Sequence, residues 1–405
     1  MDPDEAPELA EYRAGVREWL RRHRDEAPER RAGTSGPEGE EARVAARRTW
    51  QAKLADAGLA GVTWPTRYGG RGLGPAHRLV VEQELEAAGV PGVFDIVGVG
   101  MLGPAIIAHG SDEQRSRYLP PLLRGEEVWC QLFSEPEAGS DLAAVRTRAE
   151  RRPDGSWRVW GQKVWTSHAQ HAAFGLMLAR TDLEAPRHKG LTMFIVPMAA
   201  GGVIVRPLRQ ISGEARFSEV FLDDVRLEPD AVLGEVGGGW AVALQTLAHE
   251  RPAIGSTADS LAWRAEDFAA ALAAVPGAAE DPMVRRRFGE IACELLALRA
   301  SAQRAAAGTD GAGAPHETAA LTKITAVGAA TRAGDLLADV LGPGALAPDA
   351  WGRMVSELPG LRSAGGTEEI LRTVVGERVL GLPREPRIDT GAASSGVDQP
   401  SWDPV

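Results

Sequence analysis

Alternation of apolar and polar residues, the mark of half-buried strands, is confined to the middle third of this chain. Short apolar runs at 174–179 and 193–196, and an alternating stretch that begins at Trp157, are separated by turn residues such as those at 152–155. This pattern is typical of a small all-β domain. A doubly wound nucleotide-binding sheet needs strands that alternate with helices, so the order of segments predicts an α+β fold instead.

Helical spacing precedes this region. Five apolar residues recur on one helical face near the start of the chain: Leu9, Tyr12, Val16, Trp19 and Leu20. Similar patterns occur at 42–57 and 76–88, and the glycine-rich stretch at 64–72 between them is expected to be a connection without regular structure. We therefore expect residues 1–125 to form an N-terminal helical domain.

Segments rich in alanine and leucine, with charged faces, follow the middle third. Five of them are expected to be helices: 240–248, 260–274, 284–307, 317–341 and 368–380. Helices that follow one another along the chain favour an antiparallel four-helix bundle. The predicted domains are thus a central β domain at 126–235, a C-terminal helical bundle at 236–385 and a disordered tail at 386–405, which is rich in Pro, Gly, Ser and Asp.

Composition restricts the class of protein. The formal charge of −11 argues against a nucleic-acid partner, whose binding surface would be basic. The two cysteines are too few for a disulfide framework or a cysteine zinc site, and His168 and His171 have no nearby acidic or cysteine ligand set in the sequence. The chain has no bilayer-length apolar run and no secretory signal at its acidic start, so we expect a cytoplasmic protein without a membrane or metal partner.

Two segments carry the strongest functional signal. The sequences WCQLFSEPEAGSD at 129–141 and GQKVWTS at 161–167 resemble the flavin-binding signature of the acyl-CoA dehydrogenase family. Further matches occur in family order between Ala42 and Arg387: 64–70, 221–226, 238–240, 249–251 and 365–370. Each segment alone has an ordinary explanation, since Ser-Glu-Pro and Gly-Ser-Asp are common turn sequences. Their joint occurrence in order favours the family.

The resemblance is greatest to a bacterial branch that acts on bulky or unusual acyl-CoA thioesters, including sterol side chains. The residues behind this assignment are the Gln-Leu-Phe-Ser-Glu-Pro form at 131–136 and the segment 209–214. The resemblance implies a helical domain, a β domain and a four-helix bundle. It also implies FAD as cofactor, acyl-CoA as substrate, an electron-transfer flavoprotein as electron acceptor, and a homo- or hetero-oligomer, either a dimer or a tetramer.

The resemblance assigns roles to individual residues. Nine of them would contact the flavin: Gln131, Leu132, Phe133, Ser134, Trp165, Thr166, Ser167, Gly366 and Thr367. Ser140 would touch the CoA portion of the substrate. In the family reaction a base takes the α proton of the thioester, and the β hydrogen leaves as hydride to flavin N5.

The base is expected on the first helix after the β domain. Many family members carry it as a glutamate directly before the Gly-Thr of the last motif, but this chain has Gly365 there. Other members use a glutamate that directly precedes an arginine, and Glu250 and Arg251 match that arrangement. We expect Glu250 to be the catalytic base and Arg251 to bind substrate or orient the carboxylate. The alternative is a structural Glu–Arg pair on a helix surface, although adjacent helical positions do not face each other.

Some family residues are replaced in this chain. Asp339 and Pro343 stand where members have the Gln and a Gly that contact the flavin adenylate of a neighbouring subunit, and Leu296 replaces a second Gln. Such losses are expected where two unlike subunits share flavin sites. Three functions therefore stay open: an acyl-CoA dehydrogenase, a flavin oxidase or monooxygenase of the same fold, and a flavin-poor, non-catalytic subunit of a heteromeric dehydrogenase.

One motif points elsewhere. Residues 98–103 match G-x-G-x-x-G, but no βαβ pattern surrounds them, and Pro104 favours the start of a helix. A packed loop-to-helix junction is favoured over a dinucleotide site.

Overall fold

A computed structural model describes the following residues: 6–29, 37–256, 265–306, 315–347 and 349–384. Helices lie on both sides of a central sheet along the chain, so the predicted α+β fold is confirmed. The predicted tail at 386–405, and residues 260–264 of the predicted helix at 260–274, lie outside the described residues.

Helices account for most of the chain before the sheet. They are α1 (Pro7–His23), α2 (Pro37–Asp56), α3 (Pro75–Ala87), α4 (Gly103–His109) and α5 (Asp112–Leu123). The helical patterns at 42–57 and 76–88 fall in α2 and α3. The stretch at 64–72 is a connection with one short 3-10 turn at Thr66–Tyr68.

Helix α5 was not predicted, because Pro120 and Pro121 lie inside it and obscure its helical character. Its start is fixed by reciprocal hydrogen bonds. The backbone N–H of Gln114 donates to Ser111 Oγ at 3.2 Å, and the N–H of Ser111 donates to Gln114 Oε1 at 3.0 Å. This capping box satisfies two donors that a helix leaves without partners at its N-terminus.

The sheet has seven strands among the described residues. They are β1 (Trp129–Leu132), β2 (Arg148–Arg151), β3 (Trp157–Ser167), β4 (Phe174–Arg180), β5 (Leu191–Pro197), β6 (Val203–Leu208) and β7 (Phe217–Leu227). Their order is β1-β4-β2-β3-β7-β6, and β5 pairs with β4. β1 is parallel to β4, whereas β3, β7 and β6 form an antiparallel ribbon.

The strands β4 and β5 are covered on both faces. Leu176 and Leu178 of β4 pack in a core shared with the N-terminal helices, whereas Met177 and Ala179 pack in a core built by the strands. This explains the continuous apolar run at 174–179, because a strand buried on both sides loses the usual alternation.

Helices resume after the sheet. They are α6 (Gly239–Ser256), α7 (Ala265–Ala273), α8 (Pro282–Ala306), α9 (Pro315–Leu341), α10 (Ala350–Ser363) and α11 (Glu368–Val374). α9 packs against α6, α8, α10 and α11. The helix predicted at 368–380 is α-helical to Val374 and continues as a π-helical turn at Val375–Val379.

Helix α10 was not predicted either, because Gly352, Pro359 and Gly360 interrupt its pattern. Asp349 caps its start, and the carboxylate accepts hydrogen bonds from the N–H groups of Trp351 at 2.9 Å and Gly352 at 2.8 Å. Apolar residues of α10 then pack into the core of the helical region. Capping and tertiary packing thus outweigh weak local propensity.

The G-x-G-x-x-G motif forms a helical junction. Its first five residues, Gly98–Leu102, make a π-helical turn that runs into α4. Gly103 lies against the ring of Trp64, where a Cβ atom would clash. Gly103 therefore allows close packing against Trp64, which agrees with the loop-to-helix junction that the sequence favoured over a dinucleotide site.

Asp95 links the N-terminal helices to the start of the sheet. Its carboxylate accepts hydrogen bonds from the N–H groups of Gly98 at 2.7 Å and Trp129 at 2.8 Å, and its own N–H donates to Gln51 Oε1 at 2.8 Å. The Gln51 amide donates in turn to two carbonyls at the end of α5, each at 3.1 Å. Burial raises the pKa of Asp95 to about 7, although the two N–H donors act in the opposite direction.

Asp95→Asn is expected to turn an NH₂ group toward one of these backbone donors and to lower the free energy of unfolding by about 1–3 kcal/mol. The loss should be larger at pH 6 than at pH 8.5. Because burial raises the pKa of Asp95 in the folded protein above its ordinary value, protonation of the carboxyl stabilises the wild-type fold, and this contribution is lost as pH rises through about 7. Urea denaturation at both pH values measures the effect.

The control for this test is Asp223→Asn, at an exposed position, which should leave the unfolding free energy unchanged. A deficit of the Asp95→Asn protein that is the same at pH 6 and pH 8.5 would contradict the raised pKa of Asp95.

Candidate active site

The two segments that resemble a flavin signature meet at one end of the sheet. β1 ends at Leu132 and β3 ends at Ser167. Just beyond β1, the Ser134 carbonyl accepts a hydrogen bond from the N–H of Val164 at 2.9 Å. The predicted flavin contacts on the two segments are therefore neighbours in the fold.

Lys163 joins the two segments from inside the sheet. Its side chain is fully buried, and Nζ donates to the Phe133 carbonyl at 3.0 Å, the Leu178 carbonyl at 2.7 Å and the Glu135 carboxylate at 2.8 Å. The three N–H donors of the ammonium group thus have three acceptors.

Glu135 completes this arrangement by accepting hydrogen bonds from the N–H groups of Arg146 at 2.6 Å and Thr147 at 2.9 Å. Burial acts to raise the pKa of Glu135, but the Lys163 charge and the hydrogen bonds outweigh it and hold the pKa below its ordinary value. Burial lowers the pKa of Lys163 to about 8, with Glu135 acting in the opposite direction. Both groups are charged at pH 7, and neither charge is left uncompensated.

Trp165 is turned outward by an irregular backbone. Its φ of 60° lies in the left-handed region that few non-glycine residues adopt, and the pairing of β3 with β7 shifts register between Lys163 and Thr166. The side chain is 62% exposed, and its ring meets the edge of Phe217 at a centroid distance of 6.0 Å. A strained backbone here holds a large aromatic surface open at the end of a strand.

The other predicted contacts on these segments divide by burial. Gln131, Ser134 and Ser167 are partly exposed, whereas Leu132, Phe133 and Thr166 are buried. Leu132 and Phe133 pack in the apolar cores and so anchor the segment 129–141 to the protein interior. The side chains of Leu132, Phe133 and Thr166 are thus buried, and their predicted contacts with the flavin stay predictions. Their main-chain atoms remain predicted contacts.

The open surface suits an isoalloxazine, which has a flat apolar face and a polar edge. Trp165 supplies an exposed aromatic plane. The hydroxyl groups of Ser134 and Ser167, on the same two neighbouring segments, have no hydrogen-bond partner among the described residues. An aromatic plane next to free donors fits a ring of this kind.

Ser140 lies on the loop that follows the first segment. It is exposed, and its neighbours are held by ion pairs of Glu137 with Arg146 at 2.6 Å and of Asp141 with Arg187 at 3.2 Å. The predicted CoA contact is thus at the surface, open to a ligand.

Gly366 and Thr367 lie in the C-terminal helical region. Gly366 has a φ of 94°, and Thr367 Oγ1 accepts a hydrogen bond from the N–H of Ile370 at 3.3 Å at the start of α11. Lys323 Nζ donates to the carbonyls of Ala364 and Gly366. Among the described residues, the hydrogen bonds of this turn stay within the helical region, and none reaches β1 or β3.

Glu250 and Arg251 belong to α6, which packs against β4, β5 and α4. Their side chains lie outside the part of the chain that the structure describes. The helical turn before them is held by two hydrogen bonds. Gln245 Oε1 is hydrogen-bonded to Nε2 of His109 on α4, and the Gln245 carbonyl is hydrogen-bonded to Nδ1 of His249 at 2.8 Å. The path of α6 along the sheet is therefore fixed up to the residue before Glu250.

Sequence reasoning missed the ion pair of Lys163 and Glu135, although both residues lie within the quoted motifs. A signal was present. Lys163 shares the inward register of β3 with Trp157 and Val159, and a charged residue at such a position requires a buried partner. The identity of that partner depends on the fold.

Within the described ranges, no group of three or more His, Cys, Asp or Glu side chains is placed to hold a metal ion. None of the helices there is both long and apolar enough to cross a membrane. Burial lowers the pKa of His168 to about 4, so its ring is neutral at pH 7.

Three family models match the chain, and they describe the N-terminal, middle and C-terminal domains of acyl-CoA dehydrogenases. The matched residues are 6–126, 130–225 and 237–380. Among curated proteins, acyl-CoA dehydrogenase IpdE1 of Mycobacterium tuberculosis is 38% identical over 384 residues, which cover 93% of this chain and 99% of that protein.

Solved structures agree with this match. The Tcur3481-Tcur3483 steroid ACAD superposes with a TM-score of 0.79 at 29% identity, over 95% of this chain and 100% of that one. The ChsE4-ChsE5 complex from Mycobacterium tuberculosis gives a TM-score of 0.78 at 29% identity, with the same coverage of 95% and 100%. The chain belongs to the acyl-CoA dehydrogenase family and is an FAD-dependent oxidoreductase of that family.

Proposed function

We propose that the chain introduces a double bond between the α and β carbons of an acyl-CoA thioester, with Glu250 as the base. The observation that carries the proposal is the end of the sheet around Trp165. The two neighbouring segments there carry an exposed aromatic plane and two hydroxyl groups without a partner among the described residues, and α6, the helix of Glu250, packs on β4 and β5 of the same sheet.

Gly365 supports a base on α6 rather than in the last family motif. Glycine has no proton acceptor, and the φ of 65° at Gly365 lies in the left-handed region, where a glutamate would be strained. Glu250, directly before Arg251, supplies the carboxylate that this position lacks.

The protein residues divide the remaining work. Glu250 takes the α proton, which the thioester carbonyl makes acidic, and burial of a carboxylate raises its pKa toward the range that suits such a base. The flavin, when bound, supplies the acceptor for the β hydrogen, which leaves as hydride. Loss of a proton and a hydride leaves the double bond.

Binding and orientation fall to the surface residues. Trp165 would hold the face of the ring, and the hydroxyls of Ser134 and Ser167 would donate hydrogen bonds to its polar edge. Ser140 contacts the CoA portion, and Arg251 orients the substrate or the Glu250 carboxylate. Together they fix the α and β carbons in the geometry for reaction.

Glu250→Gln is expected to keep the yellow flavin but lose its bleaching by acyl-CoA under anaerobic conditions. Removal of a general base typically lowers the rate by about 10²–10⁴-fold. Stopped-flow absorbance of the flavin band measures the rate. Glu290→Gln, on an exposed face of α8, is the control and should bleach at the wild-type rate. Bleaching of the Glu250→Gln protein at the wild-type rate would place the base elsewhere.

A bulky acyl group is the proposed substrate, since the relatives include a protein named steroid ACAD. A comparison of octanoyl-CoA with a CoA thioester of a sterol side chain distinguishes a preference for a simple fatty acyl group from a preference for a bulky one. Faster flavin bleaching by the sterol thioester supports the proposal, whereas a preference for octanoyl-CoA contradicts it.

The proposed electron acceptor is an electron-transfer flavoprotein. The alternative is a flavin oxidase or monooxygenase of the same fold. Substrate-reduced protein that reoxidises slowly in air but rapidly with an electron-transfer flavoprotein supports the dehydrogenase, and rapid oxygen consumption supports the alternative.

A heteromeric assembly is the second candidate, and a specific ion pair favours it. Asp339 of α9 binds Arg287 of α8 at 2.5 Å, so a carboxylate stands where family members present a glutamine to the flavin adenylate. The ion pair leaves this position without an amide donor and occupies the Arg287 guanidinium, a group that otherwise binds phosphates well. One relative is also described as a ChsE4-ChsE5 complex. We infer that an unlike subunit supplies the missing adenylate contacts.

Chain purified alone is therefore expected to hold less than one FAD per chain. Asp339→Gln should increase its FAD affinity, because the carboxylate is removed and the Arg287 guanidinium is released. Isothermal titration with FAD measures this, and Asp335→Asn, one turn earlier on α9, should not change it. Tight binding of one FAD per chain by the wild type, unaffected by Asp339→Gln, would argue against the heteromer.

A further inference from the structure

The two halves of the sheet lose their strand-to-strand connection at the end where Trp165 lies. β2 joins them, but its pairing with β3 covers Trp157 to Trp160, and it reaches β4 at one residue pair, Arg148 with Arg180. Beyond that level, β3 pairs with β7 on one side, and β4 pairs with β1 and β5. The backbone ladder between the two halves is thus interrupted beside the candidate flavin surface. We call this break in the ladder the gap; β1 and β3 remain in contact across it.

Lys163 occupies this gap. Its three acceptors belong to the half of the sheet that contains β1 and β4. They are the Phe133 carbonyl just after β1, the Leu178 carbonyl on β4 and the Glu135 carboxylate just after β1. Glu135 also receives the N–H groups that lead into β2. One ammonium group therefore bonds β3 to the strands from which it has separated.

The three hydrogen bonds of Lys163 Nζ form a clamp between the two segments. Both ends of this clamp lie within two residues of predicted flavin contacts. Lys163 lies two residues before Trp165, and Phe133 and Glu135 flank Ser134. The gap is further crossed by the hydrogen bond from the Val164 N–H to the Ser134 carbonyl. A change in the length or direction of the clamp must shift one set of flavin contacts relative to the other.

We propose that Lys163, paired with Glu135, is a positioning residue that fixes the separation of Ser134 from Trp165 and Ser167. The inference rests on the flavin location given under the proposed function. Lys163 is fully buried, so it acts through the two segments and touches neither flavin nor substrate.

A purely structural role is the competing explanation, and the energetics of buried ion pairs separate the two. Removal of one partner leaves a buried charge uncompensated and destabilises a fold strongly, whereas removal of both charges is often nearly neutral. The double variant Lys163→Met/Glu135→Gln removes both charges but also removes the clamp. In the double variant we therefore expect stability to be largely restored but the geometry of the flavin site to stay altered.

The test compares wild type, Lys163→Met, and the double variant as purified holoprotein, with any partner subunit that the holoprotein contains. Thermal unfolding measures stability, and FAD titration with the visible circular dichroism of the flavin measures the site. The control is Arg13→Met/Glu84→Gln on α1 and α3, where the largely buried Glu84 carboxylate pairs with Arg13 at 2.7 Å and with Arg17 at 2.6 Å.

Lys163→Met should have the lowest melting temperature, and the double variant should recover much of the loss. The double variant should nevertheless bind FAD about tenfold or more weakly and show an altered flavin dichroism spectrum, because the contacts are no longer held in register. The Arg13→Met/Glu84→Gln control should lose thermal stability, because it also removes the carboxylate that pairs with Arg17, but its FAD affinity and spectrum should not change.

The proposal is overturned if the double variant binds FAD with wild-type affinity and spectrum, or if FAD affinity follows melting temperature equally in all variants and the control. These readouts do not depend on turnover. Wild-type protein that binds FAD but is not reduced by any acyl-CoA would refute the proposed function and still allow this test.

Discussion

The buried ammonium group of Lys163 is the interaction on which the candidate site depends. A lysine with no exposed surface is tolerable because all three of its donors have acceptors and its charge is matched by Glu135. The sheet is divided at that level, so the ammonium group provides a connection that backbone ladders do not. The cofactor surface is thereby built on rigid elements rather than on free loops.

The rest of the fold holds this end of the sheet in place. Asp95 fastens the first residue of β1 to the N-terminal helices, and Gln51 carries that connection to α5. β4 and β5 are covered by helices on one face and by strands on the other. An FAD-dependent dehydrogenase needs such support, because hydride transfer requires the reacting groups to be fixed closely.

Much of this architecture could be predicted from the sequence, for identifiable reasons. Strand alternation around Trp157 and the apolar runs of β4 and β5 reveal the sheet, and helical periodicity reveals α2, α3, α8 and α9. α5 and α10 escaped prediction because their prolines oppose helix formation locally and tertiary packing overrides them. The motifs located Trp165 and Ser134. They gave no indication that Trp165 has a left-handed backbone, or that Leu132 and Phe133 face the cores, since both facts depend on strand pairing. The partner of Lys163 was equally inaccessible, because Glu135 reaches it only through the fold.

The most direct measurement is a crystal structure of the protein with FAD and a non-reactive acyl-CoA analogue. The account expects the isoalloxazine ring against Trp165, the hydroxyls of Ser134 and Ser167 on its polar edge, and the Glu250 carboxylate facing the α carbon at about 3 Å. A ring bound away from Trp165, or a Glu250 carboxylate directed away from the thioester, would contradict it.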